Sequence, residues 1–376
     1  MKILMVEPFC TGSHQAWLEG YQQYSQHEVQ VLSLSGRHWK WRMHGGAVSL
    51  ARKYQEMGFQ PDVIVATDML DLTTFLALCR KELSSIPVVL YMHENQLTYP
   101  WSPEDEDVPR NRDRHYGFIN YTSALTADEV WFNSAHHQAV FLDALPDFLR
   151  AFPDYREPTT VREIERKSRV MSIGLDLSFE SLETQNLNPK PTILWNHRWE
   201  YDKGPEPFFE ALFAFQEEGL AFELIVLGES YGRKPEIFAQ AEERLADRIL
   251  QWGFADSRYE YWQWLQRADI LPVSSWHDFF GISVVEAISR NCYPLLPNRL
   301  TYPEHVPAEC LYEEGEFTDR LRELIQRIDW VRSRNTTGWV QRYDWSEVAP
   351  QYDTSLQQLF NQNREAAQPK NWTEIH

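Results

Sequence analysis

Cysteine is scarce. Four residues (Cys10, Cys79, Cys292 and Cys310) are scattered through a chain of 376 with no CxxC pair. That spacing excludes a disulfide framework and a cysteine-based zinc site, and it reads as reduced thiols in a cytoplasmic protein. Long apolar runs are missing too. The opening stretch Met1–Pro8 is too short for a signal peptide, and no later segment reaches the length of a membrane span. The GxGxxG pattern is absent, which disfavours a dinucleotide cofactor. Positive charge is in deficit: 36 Lys and Arg against 55 Asp and Glu leave a formal net charge of -19. Bulk electrostatics therefore argue against nucleic acid or anionic membrane as a partner, and leave only a local basic patch for such a role. No group of His and carboxylates has metal-ligand spacing along the chain, so no metal is expected.

What is present describes an enzyme-sized α/β protein. Hydrophobic content of 43% and charged content of 24% are ordinary for a globular chain. The length exceeds what one core serves, so two domains are expected. Aromatics reach 14%, with 15 Trp, which suits a plain core and ring-lined clefts alike. Strand and helix signals alternate from the first residue. Strands are predicted at KILMVE, VQVLSL, 62–66, 87–92, 129–132 and 169–173, with helices at GSHQAWLEGYQQY (capped by Ser13), 71–84, 113–127 and 134–145. The polar, proline-ended stretch 178–191 reads as a linker. The alternation then resumes: strands at 192–195, 222–227, 269–274 and 293–297, and helices at 205–218, 235–247, 258–267 and 282–290. This pattern predicts two doubly wound, Rossmann-like domains, 1–178 and 190–345, with a C-terminal helix (346–376) packed back on the first. Pro350 inside that last helix predicts a kink or break.

Ligands of open parallel sheets bind outside the carboxyl ends of the strands, so the residues following each strand carry the functional argument. After the first strand, Gly12 and Ser13 suit either a simple turn or a phosphate at a helix N-terminus. HENQLTYP (93–100) sets His93, Glu94, Asn95 and Gln96 in succession, more donors and acceptors than a turn requires. NHRWEYDKG (196–204) places Arg198 and Lys203 ahead of a helix start that is already positive. Two cations there make sense with an anion between them, and a diphosphate fits. Gly228 permits close approach of a ligand, and Glu229 offers an acceptor.

SSWHDFFGISVVEAI (274–288) is the most informative stretch. Gly281 opens a helix whose N–H groups suit an anion. Asp278 precedes it, with Phe279 and Phe280 between. Glu286 stands alone in an apolar run, about 7–8 Å further along the axis. A carboxylate accepts two hydrogen bonds and suits a diol, so the three features together fit a nucleoside diphosphate sugar: sugar at Asp278, diphosphate at the helix start, ribose at Glu286. On the other side of the chain, RNRDRHY supplies Arg110, Arg112 and Arg114, and RHWKWR (37–42) mixes Trp39 and Trp41 with cations. Both segments suit an RNA loop, by phosphate contact or by base stacking. Each also reads as a solvated charged surface.

An acid, Phe-Phe-Gly and a Glu eight residues beyond that acid resemble the signature of retaining glycosyltransferases with the GT-B fold, two Rossmann-like doubly wound domains facing a central cleft. The Arg198–Lys203 pair, FNS (132–134), SIGLDL (172–177) and RADILPVSS (267–275) match that superfamily in order. Asp278 stands where most members have Glu. More narrowly, HENQLTYP, RDRHYGFINYTSAL, NHRWEYDKGPEPFF and HDFFGISVVEAISRNCYPLLP are similar to the tRNA-queuosine mannosyltransferase family. The resemblance implies transfer of mannose from GDP-mannose, with retention, to queuosine in the anticodon of aspartate tRNA. It implies His93, Arg198 and Lys203 as catalytic residues. Gly12, Ser13, Gly228, Glu229, Asp278, Phe279, Phe280, Gly281 and Glu286 are expected on the donor. Glu94, Asn95, Gln96, Arg110, Arg112 and Arg114 are expected on the acceptor, with no cofactor and no membrane partner. A lipid or polysaccharide acceptor, and a non-catalytic nucleotide-sugar or RNA-binding protein, are the alternatives.

Overall fold

A computed structural model describes residues 1–101, 105, 107, 114–178, 188–229 and 235–367. The chain forms two compact units. One is Met1–Asp176 with the returning segment from Tyr343; the other is Leu177–Arg342.

The first unit is built on six parallel strands: β1 (Lys2–Cys10), β2 (Glu28–Ser35), β3 (Val63–Thr67), β4 (Val88–Met92), β5 (Glu129–Phe132) and β6 (Ser168–Val170), in the order β2-β1-β3-β4-β5-β6. VIVAT, VVLYM and EVWF are buried along their whole length, as central parallel strands with helices on both faces must be. The chain runs from β1 outward to β2 and then crosses back to β3. The order therefore reverses between β1 and β3, where a crevice opens at the carboxyl edge.

The helix Trp39–Met57 was not foreseen. Its buried residues Met43, Gly46, Ala47, Leu50, Ala51 and Tyr54 do follow helical spacing. Gly45 and Gly46 hide the pattern, and Gly46 is there because a Cβ would press on Pro8. Ser13 is not the cap of the first helix, Gly12–Tyr24; Thr11 holds that position in extended backbone, and no side chain caps the end. The last helix, Trp345–Ala367, runs unbroken through Pro350. Pro350 lies in its second turn, where the missing N–H removes a single intrahelical bond. Trp345 seats against Gly20 and Gly174, where any Cβ would collide with its ring. Tyr352 accepts from the Trp17 indole at 3.3 Å, and Asp353 accepts from Tyr21 at 2.7 Å.

The second unit repeats the plan with β7 (Thr192–Trp195), β8 (Glu223–Leu227), β9 (Ile249–Gly253), β10 (Ile270–Pro272), β11 (Tyr293–Pro297) and β12 (Leu311–Tyr312), ordered β12-β11-β10-β7-β8-β9 and all parallel. This is the dinucleotide-fold strand order, and its reversal lies between β7 and β10. The two strands missing from the sequence reading, β9 and β12, are the sheet's edges. ILQWG is half-buried throughout and carries no alternation to read. Most of the stretch read as a linker (179–187) lies outside the described residues.

Candidate active site

In the second unit, the loops after β7 and β10 meet at the strand-order reversal. Gly204 adopts φ 64°, and its backbone lies so close to Ser274 that a Cβ would collide with the Ser274 carbonyl. Ser274 Oγ donates to Gly204 O at 2.6 Å, and Trp276 N donates to Asp202 O at 2.8 Å. This stitching sets Lys203, which is buried, against the 274–281 loop. Its ammonium donates to His277 O at 2.8 Å and to Asp278 Oδ1 at 3.1 Å, and lies 3.2 Å from Asp202 Oδ2. Asp278 Oδ2 accepts from the Tyr302 hydroxyl at 2.6 Å. Burial alone would raise the Asp278 pKa; the Lys203 charge, His197 and the Tyr302 bond outweigh it and hold the carboxylate below its usual range. His197 is buried, with Nδ1 3.0 Å from Ser283 Oγ. Desolvation pushes its pKa down to about 4 against the opposing pull of Asp278, so it is neutral at pH 7.

The helix Ile282–Ser289 starts from Gly281, whose φ of 75° is the left-handed region where L side chains are strained. Val284 N already donates to Gly281 O at 3.0 Å, so the first-turn N–H groups left over for an anion are those of Ile282 and Ser283. One turn on, Glu286 is 7% exposed. Its Oε2 accepts from the Tyr261 hydroxyl at 2.9 Å, and its Oε1 lies 3.4 Å from Arg258 Nη2. Burial raises its pKa, and Arg258, Tyr261 and Arg290 restrain that rise. Of roughly four lone-pair positions on a carboxylate, two remain for a ligand.

In the first unit, a second polar cluster sits at the β1/β3 reversal. Glu7, fully buried on β1, accepts from Phe9 N at 2.7 Å through Oε1 and meets His14 Nδ1 at 2.8 Å through Oε2. The His14 ring lies 4.2 Å from that of His93, and Trp17 meets His93 edge-on at 4.7 Å. Asp68, following β3, accepts from His93 N at 2.7 Å. Burial would lower the His14 pKa, but the Glu7 charge and hydrogen bond raise it to about 9. His93 is driven the other way, well below the usual imidazole value, by burial, by His14 and by His137. The pair is therefore one imidazolium packed against one neutral imidazole, the ring planes tilted by 37°. His93 Nε2 and Asp68 Oδ2 are buried without a hydrogen-bond partner among the described residues. Glu7, His14 and His93 also bring three ligand-type atoms within 4.8 Å of one another, a grouping invisible along the chain because its members come from positions 7, 14 and 93. Glu7 Oε2 and His14 Nδ1 are already engaged on each other across a proton.

Comparison with known proteins identifies these parts. Residues 2–175 match a family model described as tRNA-queuosine alpha-mannosyltransferase N-terminal, and residues 179–324 match glycosyl transferases group 1. A Drosophila melanogaster tRNA-queuosine alpha-mannosyltransferase is 32% identical over 366 residues, covering 93% of this chain and 95% of the relative. The chain belongs to the tRNA-queuosine alpha-mannosyltransferase family. It is a glycosyltransferase. A Xanthomonas campestris GDP-mannose:cellobiosyl-diphosphopolyprenol alpha-mannosyltransferase is 26% identical over 258 residues, 63% of this chain and 64% of that one. Anabaena HepE in complex with UDP (TM-score 0.66, 16% identity, 95% of this chain and 100% of that chain) shares the fold. So does a sucrose-phosphate synthase from Thermosynechococcus elongatus (TM-score 0.69, 15% identity, 96% and 100%). The two parallel-sheet halves are those of a GT-B glycosyltransferase.

Within this family's frame, the residues named from sequence fall into three groups. Lys203, Asp278, Gly281 and Glu286 surround the β7/β10 reversal, and Arg198 lies exposed on the same loop, 3.1 Å from Glu200. The anion beside Lys203 is not a vacancy for a ligand alone: Asp278 and Asp202 already face it. A second group makes contacts within the protein. Gly228 gives close approach to the His197 carbonyl. Phe279 and Phe280 are core, and Phe280 O is 2.6 Å from His305 Nε2. Asn95 Oδ1 accepts from Leu97 N and Thr98 N, Gln96 N donates to Asn120 Oδ1, and Gln96 Nε2 donates to Glu94. These bonds hold the loop carrying His93. Trp39 is likewise packed inward, against Trp101 and Tyr116. A third group is placed without a tested role. Gly12 (φ 51°), Ser13, Glu229 and Arg114 are exposed, while Arg110 and Arg112 lie outside the described residues. Sequence reasoning missed Glu7, His14, Asp68, His197, Tyr261 and Tyr302. Only the adjacency of His197 to Arg198 offered a signal.

Among the described residues, no helix is long and apolar enough to cross a membrane.

Proposed function

We propose that this protein transfers mannose from GDP-mannose, with retention, to queuosine in the anticodon of aspartate tRNA in the cytoplasm. The observation that carries the reading is the 32% identity to a tRNA-queuosine alpha-mannosyltransferase along 93% of the chain. The second unit's geometry supports a nucleoside diphosphate sugar as donor. Glu286 keeps two acceptor positions for a ribose diol beside a helix start that favours a diphosphate. Asp278, kept ionised, takes hydroxyls of the sugar.

In the reaction, the bond from the sugar's anomeric carbon to the diphosphate breaks. A bond to the acceptor hydroxyl oxygen forms on the same face, and the acceptor's proton passes to the departing diphosphate. Negative charge grows on the leaving group in an oxocarbenium-like transition state. Arg198, Lys203 and the N–H groups after Gly281 stabilise it. Lys203 reaches a phosphate oxygen by giving up its longest contact, the one to Asp202, so its three donors stay satisfied. His93, held neutral, is assigned to the transferred sugar on the family resemblance, and its Nε2 has no hydrogen-bond partner among the described residues. The Glu7–His14 pair fixes the neighbouring charge without a metal.

The test is a matrix of GDP- and UDP-sugars against tRNA with and without queuosine, read as a hexose mass increment on the released nucleoside. Transfer is expected with GDP-mannose and the queuosine-containing tRNA alone. Transfer to a polyprenyl diphosphate acceptor with none to that tRNA would replace this reading by the lipid one.

A further inference from the structure

The stretch 37–53 holds five Lys and Arg and not one Asp or Glu, in a chain whose formal charge is -19. The fold lays it along the carboxyl edge of β2 as the helix Trp39–Met57 and its entry. Lys40 is neutralised there by Asp105 and Asp107. Arg42 and Lys53 are not: neither makes an ion pair with a described residue. Arg42 Nε donates to Ser35 O at 3.1 Å, and Lys53 Nζ donates to Ser33 O at 3.1 Å. Both are neutral acceptors. The two cations line one hollow of about 400 Å³, together with Ser33, Ser35, Ser49 and Gln15. The neighbouring acid, Glu19, is bound by Gln15 Nε2 at 2.7 Å. The carbonyls the two side chains bind are two residues apart on β2, about 7 Å along the strand, so the charged heads converge on the one hollow although their backbones lie about three helical turns apart.

Beside the hollow, the helix turns one large ring and one aliphatic side chain outward. Trp41 is 64% exposed and Val48 is 44% exposed, with His44 and Arg52 on the same face. The Trp41 ring lies over Gly45, where an added Cβ would meet it. A glycine there leaves the ring flat on the helix with a face open. Exposed tryptophan flanked by unpaired cations and hydroxyls is the chemistry that binds a nucleic acid strand, with phosphates in the polar hollow and a base on the ring.

We propose that Arg42, Lys53 and Trp41 form a docking surface for the sugar-phosphate backbone and an unpaired base of the RNA acceptor. This inference rests on the tRNA reading above and adds where on the first unit the RNA is held. The surface supplies affinity, not chemistry.

The experiment measures binding of queuosine-containing tRNA to the full-length protein across a salt series, alongside steady-state transfer, for wild type, Arg42→Glu, Lys53→Glu, their double variant and Trp41→Ala. Each side chain is on the surface, so circular dichroism and melting should match wild type. The double variant should lower the slope of log affinity against log salt by about 1.4, two single-strand phosphate contacts. It should also raise the KM for tRNA by about ten-fold or more, leaving the KM for GDP-mannose unchanged. Trp41→Ala should weaken binding by a similar factor with no change in salt slope, because stacking carries no charge. Unchanged affinity and slope in well-folded variants, with wild type active on the tRNA, would overturn the docking surface alone. Wild type that transfers nothing to the tRNA would overturn the functional reading beneath it.

Discussion

Replacing Glu7 by Gln removes the charge that keeps a proton on a buried histidine. His14 titrates at about 9 rather than 6.5, and Glu7 is the cause that overcomes its burial. An interval of about 2.5 units, at about 1.36 kcal/mol each, is worth about 3 kcal/mol to the folded first unit. The pKa is raised on folding, so this contribution is fully present below about pH 6.5, falls as pH climbs, and is gone above about pH 9. In Glu7→Gln, burial is left as the governing influence and it disfavours the cation. His14 should then titrate well below 9, with only the Asp68 and Glu94 charges still favouring its cation, and His93 should lose much of the positive charge on the ring 4.2 Å away. Imidazole nitrogen shifts followed by NMR from about pH 5 to about pH 10, with His14→Gln to assign the signal, measure this directly. Melting should show wild type losing its advantage over Glu7→Gln between those limits. A wild-type His14 that is neutral at pH 7, or one that still titrates near 9 in Glu7→Gln, would refute the argument.

Four further outcomes are expected. Arg198→Ala should lower kcat by about a hundred- to a thousand-fold with melting unchanged, since the side chain is exposed and its loss removes charge from the leaving group; near-normal turnover would remove it from the site. Tyr261→Phe deprives buried Glu286 of its 2.9 Å hydrogen bond. It should raise the KM for GDP-mannose while the tRNA KM stays put, and a shift in the tRNA KM instead would point to the wrong ligand. Gly228→Ala drives a Cβ into the His197 carbonyl at φ 121° and should destabilise the second unit by about 2–4 kcal/mol, read from denaturant unfolding. Prolonged EDTA dialysis should leave transfer undiminished; activity restored only by an added divalent ion would assign a metal to Glu7, His14 and His93.

The fold was legible wherever burial was complete. VIVAT, VVLYM and TILW announce themselves because both faces of a central parallel strand are apolar. ILQWG did not, because an edge strand half-open to water need not alternate or be continuous. The helix Trp39–Met57 was masked by glycines placed for contact with Pro8 and beneath Trp41. Glu286 could be singled out because a lone carboxylate in an apolar run contradicts its neighbours. Glu7 could not, since in the sequence it only closes a strand before Pro8. Its importance comes from meeting His14 and, through it, His93, and that meeting is made by the β1/β3 crossover rather than by spacing. The loop HENQLTYP divides its polar groups between two uses. Its density of polar groups read as ligand contacts; Gln96 and Asn95 Oδ1 are spent on backbone and neighbours, whereas Asn95 Nδ2 is buried without a hydrogen-bond partner among the described residues.

The first unit is discontinuous in the chain, and this has a consequence for biosynthesis. Its six strands are all made before residue 171, but Trp17, Tyr21 and the notch between Gly20 and Gly174 wait for Trp345 and Tyr352. A ribosome must produce the whole second unit before that notch can be filled. Until then the nascent sheet carries an unsealed aromatic seam, a natural site for a chaperone to hold. The second unit has no such debt and is free to fold as soon as its own residues emerge.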